Sequence, residues 1–316
     1  MRKIKRKKER RYLTPLLFIL NVFIWGIAIH LWMQDIDVPP QITDNFAVAA
    51  DIYIPEVMQP GTFHTNATLT YEDVNVQIYS NHALLINLDT GEVLFDHRGH
   101  ERVYPASITK IMTVLVGLEH AKGDEWVVYD EIITLSEVLH GLILRSDEDA
   151  ATLLVYHVAD SEEEFVNLMN ETARQLDMDH THFTNASGLH HDNHYTTAYD
   201  IALLLEYAFT HRRFREIFTT PIYSFINSTG TEQLMQSIMF QNIEEAAFNG
   251  GEILGGTTGF TPQAGLCLVA IATNGVHEFA LITFVSPTDE TTPPAHIRDA
   301  FAIFEYFFSV ENGIIE

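Results

Sequence analysis

Strand-like apolar runs sit at the two ends of the foldable part of this chain, and helical periodicity fills the space between them. Ala83-Leu-Leu-Ile-Asn-Leu88 and Val93-Leu-Phe95 flank Asp89-Thr-Gly-Glu92, a hairpin signal. Leu266 to Ala272 and Phe279 to Val285 flank Asn274-Gly275, a second one. Between them the apolar spacing is helical. A helix is expected from Ser107 to His120, and Ile132 to Ala159 reads as mostly helical with a break at 145–150. Ser161-Glu-Glu-Glu164 is a capping box ahead of Phe165, Leu168, Met169, Thr172 and Leu176. Thr197 to Phe209 places Ile201, Leu204, Leu205 and Ala208 on one helical face, and Pro293-Pro294 opens a closing helix through Ile297, Phe301, Phe304 and Phe308. Strands contributed by both termini with helices in between predict an antiparallel sheet covered by helices. The expected class is therefore α+β, in a three-layer αβα arrangement.

The stretch before the first strand is of another kind. Eight of the chain's 18 Lys and Arg residues fall within residues 2–11, together with just one of its 43 acidic residues. Leu16 to Met33 follows, apolar and long enough to cross a bilayer as one helix, with Trp32 near its outer end. The basic flank places the N-terminus in the cytoplasm and the body of the chain outside. Gln34-Asp-Ile-Asp-Val-Pro-Pro40 offers no small-x-small cleavage site, so the segment reads as an uncleaved signal-anchor. Residues 34–75 hold Pro39, Pro40, Pro55, Pro60 and Gly61 without a sustained period, as a tether does. The expected organisation is a cytoplasmic basic segment at 1–15, a transmembrane signal-anchor at 16–33, an extracytoplasmic linker at 34–75 and a single domain at 76–316.

Net charge is −25 although the first eleven residues are strongly basic, so the body is acidic throughout and repels nucleic acid and anionic lipid. The one cysteine, Cys267, lies in an apolar run and has no partner for an intrachain disulfide, so stability outside the cell rests on the core. No cation flanks it, and packing rather than nucleophilic chemistry is expected of it.

Chemistry concentrates at Tyr104-Pro-Ala-Ser-Ile-Thr-Lys110, where a serine opens an apolar helix and a lysine follows one turn later. Ser107 and Lys110 share a helical face, and the helix N-terminus supplies free N–H groups and positive potential. A lysine that loses its proton on burial can take the hydroxyl proton of Ser107 and turn it into a nucleophile. A capped surface helix with an ordinary lysine shows the same spacing, so this motif needs support from the rest of the chain.

That support comes from four segments in order: Leu88-Asp-Thr-Gly-Glu-Val-Leu94, Arg102-Val-Tyr-Pro-Ala-Ser-Ile-Thr-Lys-Ile-Met-Thr113, Gly188-Leu189 with His194-Tyr-Thr-Thr-Ala198 and Asp200, and Gly259-Phe-Thr-Pro-Gln-Ala-Gly-Leu-Cys-Leu268. Together, over roughly residues 80–290, they resemble the D-alanyl-D-alanine carboxypeptidases, penicillin-binding serine peptidases with the transpeptidase/β-lactamase-like fold. The resemblance implies an acyl-enzyme on Ser107, with Lys110 as base and Ser146 as proton relay. It also implies an oxyanion site made by the backbone N–H groups of Ser107 and Phe260. The implied substrate is a peptidoglycan stem peptide, with β-lactams as covalent ligands. No metal or organic cofactor is implied.

Two of the three family motifs depart from the pattern. Ser-x-Asn falls on Ser146-Asp147-Glu148 and Lys-Thr-Gly on Thr257-Thr258-Gly259, so glutamate replaces the asparagine and threonine the lysine. Glu148 favours protonated Lys110 and weakens it as a base. Thr257 offers a hydroxyl but no charge to a substrate carboxylate, a loss of about 1.5–3 kcal/mol for a charge-assisted hydrogen bond. Arg145, beside the second motif, reads first as a solvated surface arginine and second as a cation that reaches into the cleft to pair with Glu148 or a substrate carboxylate. His190, His191 and His194 form His-His-x-x-His, but in a loop and without a metalloprotease carboxylate, so a metal site is not expected. Two readings follow: a membrane-anchored carboxypeptidase of low or altered activity, and a catalytically inactive relative whose cleft binds cell wall or a partner.

Overall fold

The computed structural model describes residue 63 and residues 68–120, 126–128, 132–227, 230–289 and 291–311. The predicted basic segment, the signal-anchor and most of the linker lie outside the described residues. Among those described, no helix is long and apolar enough to cross a membrane.

Strands from the two ends of the domain meet in one sheet. β1 (Leu69–Thr70), β2 (His82–Asn87) and β3 (Val93–His97) come from the N-terminal side. Past the middle of the chain come β8 (Ala247–Phe248), β9 (Gly251–Thr261), β10 (Gly265–Thr273) and β11 (Glu278–Ser286). The order across the seven-stranded sheet is β1-β3-β2-β11-β10-β9-β8. The antiparallel β2–β11 pair, in register from Ala83↔Thr283 to Asn87↔Phe279, joins the two halves. Both predicted hairpins form. In the first, Asn87 Oδ1 accepts from the N–H groups of Asp89 and Thr90, and Gly91 takes φ 69°. In the second, Asn274 Oδ1 accepts from Val276 and His277, with Gly275 at φ 85°.

The alternation of side chains along the strands separates two cores. Leu84, Ile86, Cys267, Val269, Ile271, Ala280 and Ile282 face one side, where helices α1 (Lys110–His120), α3 (Glu148–Val158), α4 (Glu162–Gln175) and α5 (Ala198–Thr210) pack. Leu85, Leu268, Ala270, Phe279 and Leu281 face the other, against Ile297, Ile303, Phe304 and Phe308 of α7 (Ala295–Glu311). This is the expected three-layer αβα arrangement. α1 is buried over all its residues from Lys110 to Gly117, and a Cβ on Gly117 would come within 2.7 Å of Leu154, so α1 and α3 touch backbone to side chain. Cys267 is fully buried and its thiol is pushed up to about 12 by that burial, which makes it packing.

Several boundaries differ from the sequence reading. Order begins before residue 76: β1 pairs in parallel with β3, and Val74 is buried. A strand this short has no period to read. Ile132–Thr134 is a strand (β5) paired with β4 (Trp126–Val128), and the helix after it starts only at α2 (Leu135–His140), where Thr134 and Glu137 form a capping box. Ser161 caps α4 through Glu164 N–H, but Glu164 reaches back to Asp160 N–H rather than to Ser161. After α6 (Arg212–Phe218) come β6 (Ile222–Ile226) and β7 (Glu232–Gln236), an antiparallel hairpin separate from the main sheet.

Candidate active site

Three backbone segments converge on Ser107. The first is the 3-10 turn Ala106–Thr109, which leads directly into α1. Its first residue, Ala106, takes φ 48°, a left-handed conformation uncommon for a residue with a Cβ. The second is the loop 184–194. Gly188 takes φ 87°, and a Cβ on it would lie 2.0 Å from Ala106 O, so only glycine lets the loop approach. The third is β9, where a Cβ on Gly259 would lie 2.8 Å from Ser107 N. The peptide between Ala106 and Ser107 is thus sandwiched by two glycines, and Ser107 N–H donates no hydrogen bond among the described residues.

Lys110 is 1% exposed, and its Nζ lies 3.2 Å from Ser107 Oγ and donates to Ser187 O at 2.7 Å. Burial lowers its pKa from 10.5 to about 8, while the charges of Glu148 and then Asp147 work in the opposite direction. Sequence reasoning correctly gave the sign of the Glu148 effect; desolvation is the larger influence. Glu148 is exposed at the first turn of α3 and forms no ion pair with Lys110 among the described residues. The groups that hold the lysine are therefore Ser107 and Ser187, not the second motif.

Ser146 is positioned by a π turn, Gly141–Arg145, that runs on from α2. Such turns recur at functional sites because they re-aim the residues that follow. Gly141 O accepts from the N–H groups of both Ser146 and Asp147, and Ser146 is left-handed at φ 54°, ψ 37°. Asp147 then caps α3 by accepting from Asp149 and Ala150 N–H. Ser146 is half-buried, and its hydroxyl makes no hydrogen bond among the described residues. Arg145 is exposed and in no ion pair with Glu148 among the described residues, as a solvated surface arginine is.

Thr257 is buried, and its Oγ1 donates to Ile143 O at 3.1 Å. The hydroxyl expected to face substrate instead ties β9 to the π turn, and so joins the third motif to the second. Thr258 is half-buried, and Phe260 is 51% exposed where β9 passes Ser107. A cavity of about 200 Å³ opens beside the site, lined by Glu148, Thr152, Tyr156, Glu162, Ser187 and Leu189.

The sequence reading missed that the 184–194 loop clamps the turn carrying Ser107. Thr113 Oγ1 donates to Ala186 O at 2.7 Å, and Asn185 Oδ1 accepts from Gly188 N–H at 2.7 Å. His194, 2% exposed, hydrogen-bonds Thr109 through Nε2 at 2.8 Å. The signal was present in the three histidines, but a loop gives them no shared direction: His190 packs edge-on against Tyr104 while His194 faces Thr109. No cluster able to hold a metal ion occurs among the described residues.

Comparison with known proteins agrees with this geometry. The family model described as D-alanyl-D-alanine carboxypeptidase, peptidase S11, matches residues 67–136 and 126–288. The chain is 29% identical over 227 residues to D-alanyl-D-alanine carboxypeptidase DacF of Bacillus subtilis, covering 65% of this chain and 57% of that protein. It is 29% identical over 272 residues to DacA of Haemophilus influenzae, covering 75% and 65%. It therefore spans somewhat less than two thirds of the length of these relatives. Among solved structures, a D-alanyl-D-alanine carboxypeptidase from Mycobacterium tuberculosis superposes with TM-score 0.66 at 25% identity, over 75% of this chain and 94% of that one. The Streptomyces K15 DD-transpeptidase shares the fold, with TM-score 0.63 at 22% identity over 74% of this chain and 98% of that one. With the family model matching most of the chain and Ser107, Lys110 and the glycine strand brought together, this protein belongs to the D-alanyl-D-alanine carboxypeptidase family, peptidase S11.

Proposed function

We propose that this chain is a membrane-anchored serine-type D-alanyl-D-alanine carboxypeptidase of low turnover, acting on peptidoglycan stem peptides outside the cytoplasmic membrane. The observation that carries this reading is the pair Ser107–Lys110: a buried amine 3.2 Å from the hydroxyl, with its pKa held near 8. A fraction of Lys110 is then neutral at physiological pH and able to accept a proton. Ser107 Oγ attacks the penultimate carbonyl as its proton passes to Lys110, and the oxyanion is held by the N–H groups of Ser107 and Phe260. Ser146 donates its proton to the departing D-alanine amine and takes the one held on Lys110 in its place, the C–N bond breaks, and water then releases the acyl group from Ser107, whose hydroxyl is restored. β-Lactams enter the same path as covalent ligands, and the reaction draws on no cofactor.

Low turnover follows from the electrostatics. A C-terminal carboxylate meets Glu148 and Asp147 without a lysine at position 257, and the Thr257 hydroxyl is committed to Ile143. The same observation favours a second reading, an inactive relative that keeps the cleft to bind wall peptides or a partner. Release of D-alanine from a D-Ala-D-Ala peptide by the full chain in detergent separates them, with Ser107→Ala as control. Slow release that vanishes in the variant supports the enzyme; equal background from both supports the binding protein.

A further inference from the structure

The buried histidine of the 184–194 loop has no part in the chemistry above, yet it ends a hydrogen-bond chain that reaches the nucleophile's own peptide. Thr184 N–H donates to His194 Nδ1 at 3.2 Å, so Nδ1 is the acceptor and the proton resides on Nε2. Nε2–H then faces Thr109 Oγ1 at 2.8 Å, and with that oxygen accepting, its own hydrogen is directed to Ala106 O, also at 2.8 Å. Burial keeps the ring neutral, pulling its pKa down to about 4.

The carbonyl at the end of this chain shares a peptide plane with Ser107 N–H. In a trans peptide the C=O and N–H point in opposite directions, so fixing Ala106 O fixes the direction of the Ser107 N–H. Ala106 is left-handed, a conformation that persists only where its surroundings hold it. Gly188 presses on the carbonyl side and Gly259 on the amide side, leaving no side chain to obstruct either. We infer that His194 is a positioning residue, acting through Thr109 to hold the Ala106–Ser107 peptide so that Ser107 N–H faces the cleft as an oxyanion donor. This rests on the acyl-transfer reading for its catalytic consequence, though not for the clamp itself.

Gln at 194 retains an amide N–H donor for Thr109, whereas Phe retains only the bulk. The test uses full-length chain in detergent with Thr109→Val, His194→Phe and His194→Gln. Acylation by a labelled penicillin and affinity for a peptide boronic acid, whose tetrahedral adduct places an oxygen in the hole, are both measured. Expected is a loss of about 10- to 100-fold in both for Thr109→Val and His194→Phe, with the KM for a D-Ala-D-Ala peptide unchanged and most of the loss restored in His194→Gln. Wild-type rates in His194→Phe, equal loss in Gln and Phe, or a loss confined to KM overturns the inference. A wild-type chain that takes no label removes the acyl-transfer reading, and amide hydrogen exchange at Ser107 then decides alone. Faster exchange in Thr109→Val and His194→Phe than in wild type and His194→Gln supports the clamp, and equal exchange in all four overturns it.

Discussion

Lys110 is the residue on which this site depends, and it is costly to the fold. Its pKa falls from 10.5 to about 8 on burial, so between those values the unfolded chain binds a proton that the folded chain does not. Stability therefore rises with pH across that window, by about 3 kcal/mol in total at 1.36 kcal/mol per unit. Comparing wild type with Lys110→Met in urea titrations from pH 7.5 to 10.5 checks this: the wild type should gain on the variant as pH rises, and parallel curves would contradict it. Glu148→Gln removes the charge with the larger of the two effects that oppose the shift. The acid limb of acylation should then move to lower pH in that variant. That Ser107 and Lys110 lie side by side was legible from their spacing, whereas the partner of Thr257 was not. Ile143 is far from it in sequence, and hydroxyls bond backbone carbonyls without leaving a periodic trace.

At the level of elements, β9 and the loop beside it make the site, and both were hard to read. Gly251, Gly255, Gly256 and Gly259 erase the apolar alternation by which β10 and β11 announce themselves. Each is demanded by proximity; at Gly259 the neighbour is the Ser107 amide. Gly259→Ala should force β9 away from Ser107, costing about 1–3 kcal/mol by overpacking and reducing acylation at least about tenfold. Melting curves and penicillin labelling measure the two effects, and unchanged labelling would contradict the close approach. β6 and β7 escaped for the opposite reason, since their residues are mostly exposed and lack a buried stripe. The π turn before Ser146 also went unread, because it continues the apolar pattern of α2 and differs from it only in hydrogen bonding.

For the whole molecule, the sheet was legible because its strands are apolar on both faces, each covered by helices. On the side of the closing helix the core runs from the N-terminal strands to α7, where Asp299 accepts from Tyr79 N–H, Ser80 N–H and the Ser80 hydroxyl. The proposed topology is tested separately: a C-terminal reporter that works only outside the cytoplasm should be active in cells, and replacing Phe18, Ile19 and Leu20 by lysine should release or mislocalise the protein. In the proposed reaction Ser107 becomes a nucleophile because Lys110 is neutral beside it. The most direct measurement is mass spectrometry of the chain after incubation with penicillin over a range of pH. A single adduct on Ser107 is expected, forming faster as pH rises with a midpoint near 8, and absent in Ser107→Ala. No adduct at any pH, or one formed equally in wild type and variant, would contradict it.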